Sequence, residues 1–243
     1  EKGKVKAAES GRKRRILTAC GYPWHGMSLA IVDPDLKEVC PAGTIGEIWA
    51  KGPSVAQGYW NDAEGTEKTF HAYIKDTDDG PWLRTGDLGF IHEGQLYVSG
   101  RLKDLIIIRG SNFFPNDIEY SLENAHPALR KNATAAFSVD IDANERLVMV
   151  AEVERTFMRE LPEDEVFESI RTAVFAEHGI QPYAITLIRT GSILKTSSGK
   201  IRRYAVKKAW LNEELTIVAT WKMKKETGTQ AGTIGYRPEF LRE

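Results

Sequence analysis

Four stretches of the sequence hold residue types that could do chemistry. The first is Arg84-Thr-Gly-Asp87, expected in a turn between two strand-like segments. An Asp after a Gly-containing turn can accept hydrogen bonds from both hydroxyls of a vicinal pair, as on a ribose. The same spacing also suits an Asp that caps local backbone. The second is Gly100-Arg-Leu-Lys-Asp104, followed by the apolar run 105–108 and then Arg109-Gly110. It lies where strand-rich sequence hands over to mixed sequence, the place for a hinge between domains or for an ordinary charged hairpin. The third is Ser/Thr/Gly-rich, Lys195-Thr-Ser-Ser-Gly-Lys200, opening onto the basic segment Ile201-Arg-Arg203. Lys200 would be a mobile point charge, useful against a phosphate or carboxylate or simply solvated. Leu194 and Ile201 exclude a Walker A loop, which needs Gly and Ser or Thr there. The fourth, Gly46-Glu-Ile-Trp49 through Gly58-Tyr-Trp60, could line a pocket but carries no phosphate-loop pattern.

Those residues need elements to position them. Runs at 29–32, 45–49, 96–98 and 105–108 alternate with Gly and Pro clusters, which predicts a small antiparallel sheet or partial barrel to about residue 100. Beyond it the pattern is mixed. Residues 115–125 read as a helix with Pro at its first position and Ile118, Leu122 and Ala125 on one face. Residues 162–178 read as the best helix, acidic at its start, with Val166, Ile170, Ala173 and Val174 as its stripe and Gly179 as its stop. Strands are expected at 133–139, 146–153 and 185–189, and a basic helix at 201–211. The fold class is therefore α+β: a small antiparallel β-subdomain, then a compact α+β domain around a small central sheet.

Composition narrows the function. Lys and Arg number 33 against 34 Asp and Glu, for a net charge of -1, which argues against a globally basic nucleic-acid binder. Two cysteines, Cys20 and Cys40, cannot make a disulfide scaffold, so a reduced cytoplasmic setting is expected. No run approaches the length of a membrane span, and no His, HExxH or EF-hand spacing marks a metal site. The first fifteen residues hold seven basic and two acidic side chains and read as a mobile tail. Residues 223–243 read as a polar linker.

Taken in order, these motifs resemble the second half of the adenylate-forming acyl ligases. Gly52-Pro-Ser-Val-Ala-Gln-Gly-Tyr-Trp60, Lys103-Asp-Leu-Ile-Ile-Ile-Arg-Gly110 and Asn112-Phe-Phe-Pro-Asn-Asp-Ile-Glu119 resemble the fatty acyl-AMP ligase branch, whose members deliver the acyl group to a carrier protein. The resemblance covers about residues 16–222. It implies that 16–100 is the last subdomain of a large adenylation domain, a distorted barrel part, and that 105–222 is the mobile C-terminal domain. Residues 101–104 would be the hinge, with Lys103 at the pivot and Asp104 beside it. Asp87 and Arg101 would bind the ribose of ATP or AMP, and Lys200 would be the catalytic lysine. Arg109, Gly110, Arg202 and Arg203 would contact the carrier or its phosphopantetheine. ATP and Mg are the expected cofactors, with Mg ligands outside this chain. Fatty acid, acyl carrier protein and the missing N-terminal part of the enzyme are the expected partners. The phosphate loop and adenine motif are absent, and the initial residue is not Met, so the chain reads as a cut through a larger enzyme, inactive alone. Residues 1–15 read equally as a remnant of the branch's insertion. An acyl-CoA ligase fragment and a non-catalytic carrier-docking module stay open as alternatives.

Overall fold

We describe residue 5 and residues 16–223 from a computed structural model of the chain. The expected tail over 1–15 and linker over 223–243 lie outside those residues, save Val5 and Met223.

The first sheet is an antiparallel meander of β1 (Ser28–Val32), β2 (Gly46–Lys51), β3 (Leu83–His92) and β4 (Gln95–Arg101), in that order. β2 is an interior strand buried along nearly its whole length. Trp49 on one of its faces packs with Val32, Ala72, Ile74 and Trp82. A short helix, α1 (Ala63–Phe70), lies between β2 and β3 and is capped by Asp62, whose Oδ1 accepts the Gly65 N–H at 2.8 Å. Sequence periodicity does not find α1 because none of its residues is buried, so it carries no apolar stripe.

The structure corrects one expectation here. Arg84 to Asp87 do not form a turn between strands; they lie inside β3, paired to β2 at Trp49↔Arg84 and to β4 at Asp87↔Arg101. The turn-like signal has a local cause. Gly86 has φ +70°, and the β2–β3 register shifts between Glu47 and Trp49, so the strand bulges at this point.

A single 3-10 turn, Leu102–Asp104, follows β4. The hairpin of β5 (Ile106–Ile108) and β6 (Ser111–Phe113) comes next. Then come α2 (Pro115–Ala125), β7 (Leu129–Ile141), β8 (Asn144–Val153), α3 (Glu163–His178), β9 (Ala184–Ile188), α4 (Arg203–Leu211) and β10 (Ile217–Lys222). The second sheet has order β10-β9-β8-β7, with β8 and β9 parallel and the outer pairs antiparallel. α3 supplies the crossover that a parallel pair requires.

β8 shows why the sheet is central. Leu147, Met149, Ala151 and Val153 point to one face, where Ile118 and Leu122 of α2 and Val166, Ile170 and Val174 of α3 cover them. Val148 and Val150 point to the other, under Val206 of α4. Both faces are buried, so the strand reads as a continuous apolar run. Ile106 of β5 belongs to the α2/α3 side of this core. The described apolar clusters of the two sheets share no residue, and the connection between them runs through 101–105.

α3 keeps its expected ends: Glu163, Asp164 and Glu165 fill its first turn, and Gly179 at φ +70° donates its N–H to the Phe175 carbonyl. β6 and β10 were not expected. β6 is three residues long, and β10 alternates only partly, with Ile217 half exposed and Ala219 buried.

Candidate functional site

Glu47 is the starting point of the first site. It sits in β2 with 2% of its surface exposed, an expensive place for a carboxylate unless it is fully paired. It is paired on every side. Its Oε2 accepts the Trp49 indole N–H at 3.0 Å and Arg84 Nε and Nη2 at 2.9 and 2.7 Å. Its Oε1 accepts the backbone N–H of Gly86 at 3.2 Å. The Arg84 guanidinium also lies 5.6 Å from the Trp49 ring centroid. One residue further on, Thr85 Oγ1 donates to the Ile48 carbonyl at 2.7 Å and accepts the Asp87 N–H at 3.1 Å. β2 thus fixes the backbone of 85–87 through two side chains.

The Asp87 carboxylate emerges from this frame. Its Oδ1 accepts Arg101 Nε at 3.0 Å from the facing position on β4. Its Oδ2 has no hydrogen-bond partner among the described residues and stays available to a ligand hydroxyl. Arg101 is itself half exposed. The glycine before it has a steric reason: a Cβ at Gly100 would come within 2.7 Å of the Phe114 ring. The close approach lets the chain pass from β4 to the 3-10 turn beside β6.

That turn is held from the other side. Arg203, at the start of α4, reaches Asp104 Oδ2 with Nη1 at 3.4 Å. Its Nε and Nη2 clasp Glu119 of α2 at 2.6 and 2.7 Å, and Nη2 also reaches Asn116. Glu119 Oε1 in turn accepts the Ala136 N–H of β7 at 3.0 Å. Burial works against the Arg203 charge, but hydrogen bonding and attraction to Glu119, with Asp104 adding, outweigh it and hold its pKa above the ordinary value. Lys103 is exposed and makes no ion pair with a described residue.

Lys200 sits on a small hairpin. Lys195 and Ile201 pair as an isolated bridge, and Arg202 N–H donates to the Leu194 carbonyl at 2.9 Å. Between them Thr196 and Lys200 are tied twice, by Thr196 N–H to the Lys200 carbonyl at 2.8 Å and by Lys200 N–H to Thr196 Oγ1 at 3.1 Å. Gly199 closes the turn at φ +82°. The backbone of Lys200 is therefore fixed while its exposed ammonium pairs with no described residue.

Glu152, 1% exposed in β8, anchors the entry to this loop. It accepts Ile193 N–H at 2.8 Å and Arg130 Nη1 at 2.7 Å. Burial raises its pKa, but backbone N–H groups of Gly191 and Ile193 and the Arg130 guanidinium outweigh burial and leave it below the usual carboxylate value.

The remaining candidates separate by environment. Arg109 and Gly110 form the two-residue tip of the β5–β6 hairpin, both at positive φ (51° and 74°), and both are exposed. Arg202 is exposed, whereas Arg203 is half-buried and committed to Glu119 and Asp104. Asp87 and Arg101 are brought together; Lys200 lies on a loop of the second sheet with no bond to either. Among the described residues no cluster of His, Cys, Asp or Glu could hold a metal. Cys20 and Cys40 are free, and burial together with Asp33 pushes the Cys40 thiol up.

Sequence reasoning missed Glu47, Glu119 and Glu152 as organising residues. The signal for two of them is a lone Glu inside an apolar strand run, Gly-Glu-Ile-Trp and Val-Ala-Glu-Val. Period-two alternation turns each inward, where an isolated carboxylate requires partners.

The first sheet thus ends in the Asp87–Arg101 pair, Arg203 pins the turn that follows, and the loop of the second sheet carries Lys200, whose ammonium pairs with no described residue. Two family models match the chain: the AMP-binding enzyme family over residues 6–60, and the AMP domain of the Disco-interacting protein 2-like group over 103–220. A medium-chain-fatty-acid–[acyl-carrier-protein] ligase, JamA of Moorena producens, is 45% identical over 94% of this chain and 38% of its own length. Among solved structures, fatty acyl-adenylate ligase from E. coli and L. pneumophila superposes with a TM-score of 0.72 at 31% identity, over 87% of this chain and 35% of that one. The McyG A-PCP structure with phenylalanyl-adenylate gives 0.68 at 29%, over 81% and 34%. The chain belongs to the adenylate-forming acyl ligase superfamily and is most like the C-terminal part of a fatty acyl-AMP ligase. It spans 38% of the length of JamA.

Proposed function

We propose that this chain is the C-terminal portion of an ATP-dependent ligase that activates a fatty acid as its acyl-adenylate and passes it to the phosphopantetheine thiol of an acyl carrier protein. The observation that carries the proposal is Lys200: its backbone is tied into a hairpin while its exposed ammonium pairs with no described residue. The similarity to an acyl-carrier-protein ligase and to fatty acyl-adenylate ligases supports the choice of substrate.

In the first step a fatty carboxylate oxygen attacks the α-phosphorus of ATP and pyrophosphate leaves. Negative charge grows on the phosphoryl oxygens, and the Lys200 ammonium would stabilise it more in the transition state than in the ground state. Asp87 Oδ2 and Arg101 would hold the ribose. In the second step the thiol attacks the acyl carbon, a thioester forms and AMP leaves. Rotation about Lys103 would exchange the loop of Lys200 for the exposed tip of Arg109 and Gly110, with Arg202 as a further carrier contact. Magnesium would enter with the nucleotide phosphates.

The test is ATP–pyrophosphate exchange by the full-length polypeptide containing this chain, with and without fatty acid, followed by acyl transfer to carrier protein or to CoA. Fatty-acid-dependent exchange and transfer to the carrier support the proposal. Transfer to CoA alone makes the enzyme an acyl-CoA ligase. No exchange with any fatty acid leaves the docking-module alternative.

A further inference from the structure

We infer that Glu47 is a positioning residue for nucleotide binding: it aims Asp87 by holding the backbone that precedes it. The inference rests on the reading of Asp87 as the ribose ligand and goes a step beyond it. Asp87 cannot be placed by its own strand alone, because β3 bulges there against β2, with Gly86 at φ +70° and a register shift between the Glu47 and Trp49 pairs. A bulge leaves ladder groups unpaired. The Gly86 N–H finds its partner in Glu47 Oε1 at 3.2 Å, and the carboxylate is kept there by three further donors on Oε2, from Trp49 and Arg84. Four donors into a carboxylate that is 2% exposed leave it little freedom to turn.

The alternative is that Glu47 serves only to neutralise Arg84. The geometry distinguishes the two roles. Arg84 takes only Oε2, and Oε1 is spent on the backbone amide next to Asp87. Loss of the carboxylate would free the bulge to relax and swing the Asp87 carboxylate away from the ribose hydroxyls. That lowers affinity for ATP without changing the attacking groups, so it acts on KM for ATP and not on kcat.

Steady-state kinetics of the full-length ligase test this with Glu47→Gln, Asp87→Asn and wild type. For Glu47→Gln the KM for ATP should rise about tenfold, the scale of one charge-assisted hydrogen bond, with kcat and the fatty-acid KM within about twofold. A purely structural role would lower the active fraction, and hence kcat, while leaving KM for ATP in place. If Glu47→Gln fails to fold with Arg84 orphaned, Glu47→Leu/Arg84→Met removes both charges and the acceptor for the Gly86 N–H together and should show the same rise in KM. An unchanged KM for ATP in the Glu47 variant, with a raised one in Asp87→Asn, overturns the positioning role alone. An unchanged KM in both overturns the ribose assignment and the positioning role with it.

Discussion

Arg203 and Asp104 lie 99 residues apart in sequence and meet at 3.4 Å, across the turn that joins the two sheets. The contact ties the end of the turn to α4 and, through Glu119 and the Ala136 amide, to α2 and β7. Asp104 is thereby tied to elements packed on the second sheet. Lys103, one residue earlier, is exposed and makes no ion pair with a described residue.

Removing Arg203 leaves Glu119, with only 10% of its side chain exposed, without its counter-charge. Arg203→Met should destabilise the chain by about 2–3 kcal/mol, somewhat less than a fully buried broken pair because the guanidinium is partly exposed. Asp104→Asn, which touches a single long contact, should cost less than about 1 kcal/mol. Urea denaturation of the 243-residue chain measures both. Equal small losses would show that the clasp does not stabilise the joint.

Glu152 makes stability depend on pH in a definite direction. Its folded pKa is below the ordinary value, so it contributes stability above its unfolded pKa, and that contribution is lost as pH falls through the folded value. Urea midpoints of wild type and Glu152→Gln should differ most near pH 7. The gap should begin to narrow as pH drops below about 4, where an unfolded Glu protonates, and close once pH passes below the folded value. A gap that widens on acidification would contradict the assigned direction.

Carrier docking has its own signature. If Arg109 and Arg202 meet an acidic carrier, Arg109→Glu and Arg202→Glu should each weaken binding about three- to tenfold at low salt. The effect should fade as salt is raised, because both side chains are exposed. Titration of carrier protein into the chain measures this. Salt-independent binding would place the carrier elsewhere.

The architecture was largely legible in the sequence where burial imposes a period. α2 and α3 announce themselves by Pro at or beside the first turn and by apolar residues at 118 and 122, and at 166, 170 and 174. β8 was legible as an apolar run. α1 was not, because a helix with no buried residue leaves no stripe. The placement of Arg84 to Asp87 was read as a turn because Gly86 has turn geometry, although pairing on both sides makes it strand. Asp87, Arg101, Asp104 and Lys200 were visible as motif residues, but the carboxylates that hold them were hidden. Glu47 and Glu119 act on partners 39 and 84 residues away, a distance no local pattern reports.

If Lys200 carries adenylation as proposed, the reaction should fail without its ammonium. Fatty-acid-dependent ATP–pyrophosphate exchange by the full-length ligase, wild type against Lys200→Ala, tests it most directly, with ATP binding measured alongside. Exchange should fall by about a hundredfold or more, the scale of losing one preorganised charge at the transition state, while ATP binding changes little. Exchange at the wild-type rate in Lys200→Ala would contradict it.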